Sequence, residues 1–168
     1  MPSELESYLE RIEDLRGQAQ ALVAGLPGEA LNWRPLPADV GEVNSLAVLA
    51  AHVAGSEHFW IAEVIGQGPA TRNRDAEFLT MAVGAAELVS LLDEVGAETR
   101  HVLAALTADD LEGVRTVRGH DVPVRWCILH VVDHTSLHLG HMQLTLQLWN
   151  GGQGVESPFW YERLKGRY

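Results

Sequence analysis

His130–Gln143 reads HVVDHTSLHLGHMQ, and these fourteen residues hold four of the chain's eight histidines in an otherwise apolar, helix-like segment. On an α-helix, residues four apart lie about 40° apart around the axis and one turn along it. His130, His134 and His138 therefore form a shallow row, and adjacent members can face one small ion. His141, three past His138, sits toward one edge. His134 and His138 also share a face with Leu137, Leu144 and Leu148, so the spacing predicts that these imidazoles point into a helical core. A buried imidazole needs partners for both ring nitrogens. Two of them at this spacing are hard to satisfy by chance, whereas a divalent cation accepts one lone pair from each.

The helix that carries the row extends outward in both directions. Pro123 fits its first turn. Trp126, Leu129, Val132, Leu137, Leu144 and Leu148 supply its apolar positions, and Asn150-Gly151-Gly152 ends it. Toward the N-terminus, Ser3 with Glu6 reads as a capping box. Leu5, Leu9, Ile12, Leu15, Ala19, Leu22 and Val23 then recur every three or four residues, which is an amphipathic helix ending near Gly25-Leu26-Pro27. Residues 27–43 carry three prolines and two glycines and read as a loop. Asn44 or Ser45 caps a second helix of about twenty residues, with Leu46, Leu49, Val53, Trp60 and Val64 down one side, stopped by Gly66-Gln67-Gly68-Pro69. Residues 67–82 read as a connection with a short helical turn. A third helix covers about 84–106, and residues 107–122 read as irregular. No segment alternates convincingly enough to predict a strand.

Four helices, each with one apolar stripe, must bury those stripes on one another, so the fold class is all-α and the architecture a four-helix bundle. Periodicity leaves open which helices are neighbours. Residues 1–150 form one domain, and 151–168 a tail with one short helix from Pro158. The chain of 168 residues is long enough for a real core. Its net charge of −11 repels phosphate backbones, and the eleven arginines and Lys165 form no basic stripe, so nucleic acid is not an expected partner. No apolar run approaches bilayer-spanning length, and the acidic, amphipathic start is unlike a signal peptide. With Cys127 the single cysteine, the expectation is a cytoplasmic protein without disulfides.

Two imidazoles are too few for a tight metal site, and His52 is the best third ligand. It sits mid-helix among Leu49, Ala50, Ala51 and Val53, on the apolar side of the second helix. His58, about 240° further round, reads as ordinary surface or interface. His130 and His141 read as boundary or supporting histidines rather than ligands. Glu57 and Asp133 are placed to support an imidazole on another helix, not to share the ion. Cys127 reads as a small core residue. Arg34, Arg72, Arg74 and Arg125 are candidate contacts for an anionic substrate but fit surface positions better. The aromatic pairs Phe59-Trp60 and Trp160-Tyr161 suit packing or a homodimer face, and the second pair also suits a lid.

ALNWRPLPADVGEVNSLAVLAAHVAGSEHFW (30–60) resembles the start of DinB/YfiT-like metalloproteins, in which a Trp-Arg-Pro loop precedes an Asn-Ser cap and a helix bearing a histidine. LHVVDHTSLHLGHMQLTLQLW (129–149) is similar to the family's last bundle helix, with its H-x-x-x-H-x-G-Q pattern. The resemblance covers residues 5–150 and implies a variant of up-and-down topology with a three-histidine metal site. Position by position, the ligands fall on His52, His134 and His138 and the family glycine on Gly140. His141 replaces the usual glutamine, and Leu137 stands where many members have a further histidine.

Three histidines leave a coordination position open, as catalytic metals require. Zinc or nickel is the first expectation, and iron(II) or manganese also accepts imidazole. Such an ion can activate water for hydrolysis or a thiol for attack on an electrophile. The resemblance implies the second, with a low-molecular-weight thiol as cosubstrate for S-transfer or isomerisation of a small molecule. A metal-dependent hydrolase and a non-catalytic metal- or ligand-binding stress protein are the alternatives.

Overall fold

Ser45 begins the element that carries His52: its extended backbone leaves the side-chain oxygen free to accept the Val48 N–H at 3.3 Å, a standard N-cap. The computed structural model describes residues 1–37, 40–41, 43–154 and 160–163. Four long helical elements form the bundle: α1 (Ser3–Val23), α3 (Leu46–His58), α5 (Ala85–Ala105) and α7 (Val124–Trp149). Short helices α2 (Gly28–Asn32), α4 (Arg74–Glu77), α6 (Ala108–Leu111) and α8 (Trp160–Arg163) sit in the connections and the tail. α1 packs on α5 and α7, and α3 packs on the same two, so α1 lies diagonal to α3 and α5 diagonal to α7. This is the neighbour order that periodicity left open.

Several local expectations need correction. Ser3 is already inside α1, whose N-cap is Pro2, and no side chain caps it; a capping box forms instead at Thr107 and Asp110, at the start of α6. The stretch 107–122 is not irregular throughout. Val114–Val117 (β1) and His120–Pro123 (β2) pair antiparallel around Arg118 and Gly119, both with positive φ (51° and 82°). That is the two-residue turn whose twist suits a hairpin. Strands of four residues, turned by Arg-Gly rather than Asn-Gly, leave almost no signal in sequence. Pro123 therefore closes β2 and caps α7, which starts at Val124.

The second long element is not one uniform helix. After His58 it widens into a π-helix, Phe59–Ile65, and the Gly66 N–H reaches the Ile61 carbonyl at 2.8 Å. Such widened turns shift every later side chain around the axis. Here the shift keeps Ile61 and Ile65 buried.

The apolar face of α7 is also not the expected one. Its buried stripe is Cys127, Ile128, Val131, Thr135, Leu139, Met142 and Leu146. Leu137, Leu144 and Leu148 are exposed at 59%, 55% and 46%, and Trp126 and Leu129 are exposed too. At about 100° per residue, His134 and His138 lie between the two stripes. They occupy a seam at the bundle's edge rather than its centre. Burying a leucine is worth about 1.5–3 kcal/mol, so Leu139 and Leu146 anchor α7 while its exposed leucines contribute little of that.

Polar side chains cross the interior at one further level. Arg16 Nη1 donates to Glu57 Oε1 at 2.5 Å, and Thr99 Oγ1 donates to the same oxygen at 2.6 Å, linking α1, α3 and α5. Glu57 is thus a bundle tie and supports no imidazole. Burial raises its carboxyl pKa, and Arg16 acts in the opposite direction.

Candidate metal centre

His52 is buried on α3, and His134 and His138 are half-buried on α7, the neighbour it packs against. The three rings converge. Their centroids are 4.9 Å (His52–His134), 5.0 Å (His52–His138) and 4.4 Å (His134–His138) apart. One nitrogen from each lies within 4.8 Å of the others, a cluster able to hold a metal ion, and among the described residues no carboxylate or thiol joins it.

The His52 tautomer follows from its partner. Glu77 Oε2 lies 2.7 Å from His52 Nδ1, which keeps the proton there and leaves the Nε2 lone pair facing His134. His52 Nε2 and His134 Nε2 are 3.1 Å apart. Two imidazoles on one tetrahedral zinc sit about 3.3 Å apart, so the spacing suits a shared ion. His134 Nδ1 is buried without a hydrogen-bond partner among the described residues. His138 Nδ1 and His141 Nδ1 approach to 3.4 Å, which turns the other His138 nitrogen toward the cluster. Burial and then the neighbouring imidazoles, His138 first, lower the His134 pKa to about 3; burial and then His52 and His141 lower that of His138 to about 4. Both are therefore neutral at neutral pH, the form that binds metal.

A support runs away from His52 that sequence reasoning missed. Arg72 Nε donates to Glu77 Oε1 at 2.6 Å and its Nη2 to Oε2 at 3.0 Å, while the guanidinium lies over the Phe59 ring. Glu63, on the π-helix, accepts the backbone N–H groups of Thr71 and Arg72 at 2.5 and 2.6 Å and so fixes the loop that presents Arg72. Desolvation alone would raise the Glu77 pKa, but the bonds from His52 and Arg72 hold it below the usual carboxylate range. Gly55 makes room for this: a Cβ there would collide with the Glu77 carboxylate. The one hint in sequence was Asn73, whose side chain caps α4 through the Ala76 N–H and so places Glu77 at its end.

The remaining candidates lie elsewhere. His130 stacks on Trp126 (4.8 Å, 5°) and touches Trp60, outside the triad; burial lowers its pKa, and exposed Asp133 acts on it only through charge. His58 is more than surface: it bridges Glu98 (2.7 Å) and Thr71 (2.9 Å). Cys127 is buried and its thiol pKa pushed up, as suits a core residue. Arg125 is held by Glu4 and Glu112, Arg74 lies over Phe78, and Arg34 is exposed. Phe59 and Trp60 pack edge to face, and Trp60 also meets Trp126. The side chains of Trp160 and Tyr161, and Pro158, lie outside the described residues.

A sequence model of the DinB superfamily matches residues 11–142. The chain belongs to the DinB superfamily. Two solved structures share the fold of this DinB superfamily member. A DinB-like protein from Bacillus cereus is 17% identical, with 91% of this chain and 97% of that one covered and a TM-score of 0.71. A conserved protein from Enterococcus faecalis is 15% identical, with 87% and 96% covered and a TM-score of 0.70. No curated protein matches the chain. In this superfamily member no helix among the described residues is long and apolar enough to cross a membrane.

Proposed function

We propose that this protein is a metal-dependent enzyme that activates a low-molecular-weight thiol for S-transfer or isomerisation of a small organic substrate. The observation that carries the reading is the convergence of His52, His134 and His138, three imidazole donors on two packed helices, with no carboxylate or thiol among the described residues joining them. A divalent cation held there supplies Lewis acidity toward a sulfur or oxygen donor at its open side. Glu77 holds the His52 proton on Nδ1, and Arg72 holds Glu77. His141 orients His138. The triad stands on two helices and on hydrogen bonds that fix ring orientation, which is how ligand geometry is preserved through turnover.

The test uses tag-free protein loaded with zinc or nickel. Candidate thiols are incubated with an electrophile such as an aryl halide or an epoxide, and thiol loss is followed. Faster consumption than with His52→Ala supports transfer, and equal rates end this reading. Turnover that needs no thiol reassigns the site to hydrolysis.

A further inference from the structure

A groove of about 650 Å³ opens beside His138 and His141. Leu144 and Leu148 line it from α7, Pro35, Leu36 and Val43 from the connection between α2 and α3, and Leu49 from α3. Its polar groups besides the two imidazoles are Asn44 and Thr145. Among the described residues that line it there is no charged side chain. The three residues of the same connection outside the described set are Ala38, Asp39 and Glu42, none of them cationic. Arg34 is exposed and not part of the lining. A second hollow, of about 360 Å³, stands in contrast: it is lined by the charged or titratable His58, Arg72, Glu77, Glu94 and Glu98.

We infer that this groove is the substrate-binding site and that its ligand is an uncharged, largely apolar organic molecule, seated on Leu36, Leu49, Leu144 and Leu148 with one donor heteroatom toward His138. The role of the heteroatom rests on the metal-centre reading above; the choice of a neutral, apolar body does not. Pockets of this size that bind drug-sized ligands are mostly apolar, with a few polar groups for orientation. An ionised carboxylate or phosphate seated among these leucines, away from His138, loses its water and finds no cationic side chain among the described lining residues in exchange. The protein's net charge of −11 adds long-range repulsion of the same sign. The arrangement also explains why α7 exposes Leu144 and Leu148: they face a concavity bounded by a second element, not a flat surface.

The test compares two fluorophores with the same ring system, neutral N-phenyl-1-naphthylamine and anionic 8-anilino-1-naphthalenesulfonate. Both are titrated into the full chain, as purified and after chelator treatment. The buffer contains about 0.5 M salt, where the screening length is about 4 Å and distant charge counts for little. The neutral probe is expected to bind at least tenfold more tightly than the anion. Leu144→Glu and Leu148→Glu, at part-exposed positions, are each expected to weaken the neutral probe at least tenfold with the helical circular dichroism unchanged. Equal affinity for the two probes, or neutral-probe binding untouched by both substitutions in folded protein, overturns the inference. Because selectivity is read on chelator-treated protein too, failure of the metal-centre reading leaves this result standing, and the reverse holds.

Discussion

Glu77 Oε2 and His52 Nδ1 are 2.7 Å apart although 25 residues separate them in sequence. The contact fixes which nitrogen of His52 carries the proton, and hence which one can meet a cation. Supports of this kind are typically worth 10- to 100-fold in metal affinity. Glu77→Gln is therefore expected to weaken zinc binding by about tenfold or more in a competition titration against a chromophoric chelator, with the fold intact. Unchanged affinity would show that the carboxylate does not tune the ligand.

Gly55 tests the same contact from the other side. In a helix interior, glycine to alanine normally stabilises by about 1 kcal/mol. Here the added methyl displaces the Glu77 carboxylate. Gly55→Ala is expected to forgo that gain in urea denaturation and to weaken metal binding. In the Glu77→Gln background the same change should cost much less affinity, because the group it disturbs is already altered.

The triad itself makes a compositional prediction. Elemental analysis of tag-free protein should find near-stoichiometric metal in the wild type and little in His134→Ala. Free ion at a hundredfold excess over its dissociation constant adds about 2.7 kcal/mol to stability, so chelation should lower Tm in the wild type and not in the variant.

Metal-free protein should lose stability on acidification in a defined window. Unfolded histidine titrates at about 6.5, whereas folded His134 and His138 titrate near 3 and 4. Between those limits the unfolded chain holds more protons than the folded one, so stability falls as pH drops from 6.5 toward 4. Above 6.5 both states are neutral and the effect vanishes. Urea midpoints of chelated protein at pH 7 and pH 5 measure it, and a His134→Gln, His138→Gln double variant should show a smaller drop. An equal drop in both proteins would place the sensitivity elsewhere.

The Arg16–Glu57 tie is expected to behave as a buried pair. Arg16→Met strands a carboxylate that is 1% exposed and should cost about 3–5 kcal/mol at pH 7. Adding Glu57→Leu should recover much of the loss, as chemical denaturation would reveal. A single variant as stable as wild type would mean that the interior relaxes to admit water.

The helices were legible because their signals are local. Period-3.6 patterns between prolines and glycines placed α1, α5 and α7 within a residue or two, and the four-residue spacing of His134 and His138 fixed their adjacency before any tertiary contact. The short elements were harder. β1 and β2 have four residues each, too short for the β-branched Val114, Thr116 and Val117 to stand out as a strand pattern.

Sequence by itself determined the fold class, the helix spans and three histidines capable of meeting. Tertiary structure alone decided that α3 and α7 are neighbours, that Glu77 rather than Glu57 meets an imidazole, and that Leu144 and Leu148 face a groove instead of the core. The division has one physical cause. Relations within a helix follow from its fixed rise and rotation, whereas relations between helices depend on connections such as 27–45 and 66–84, whose course no periodicity encodes.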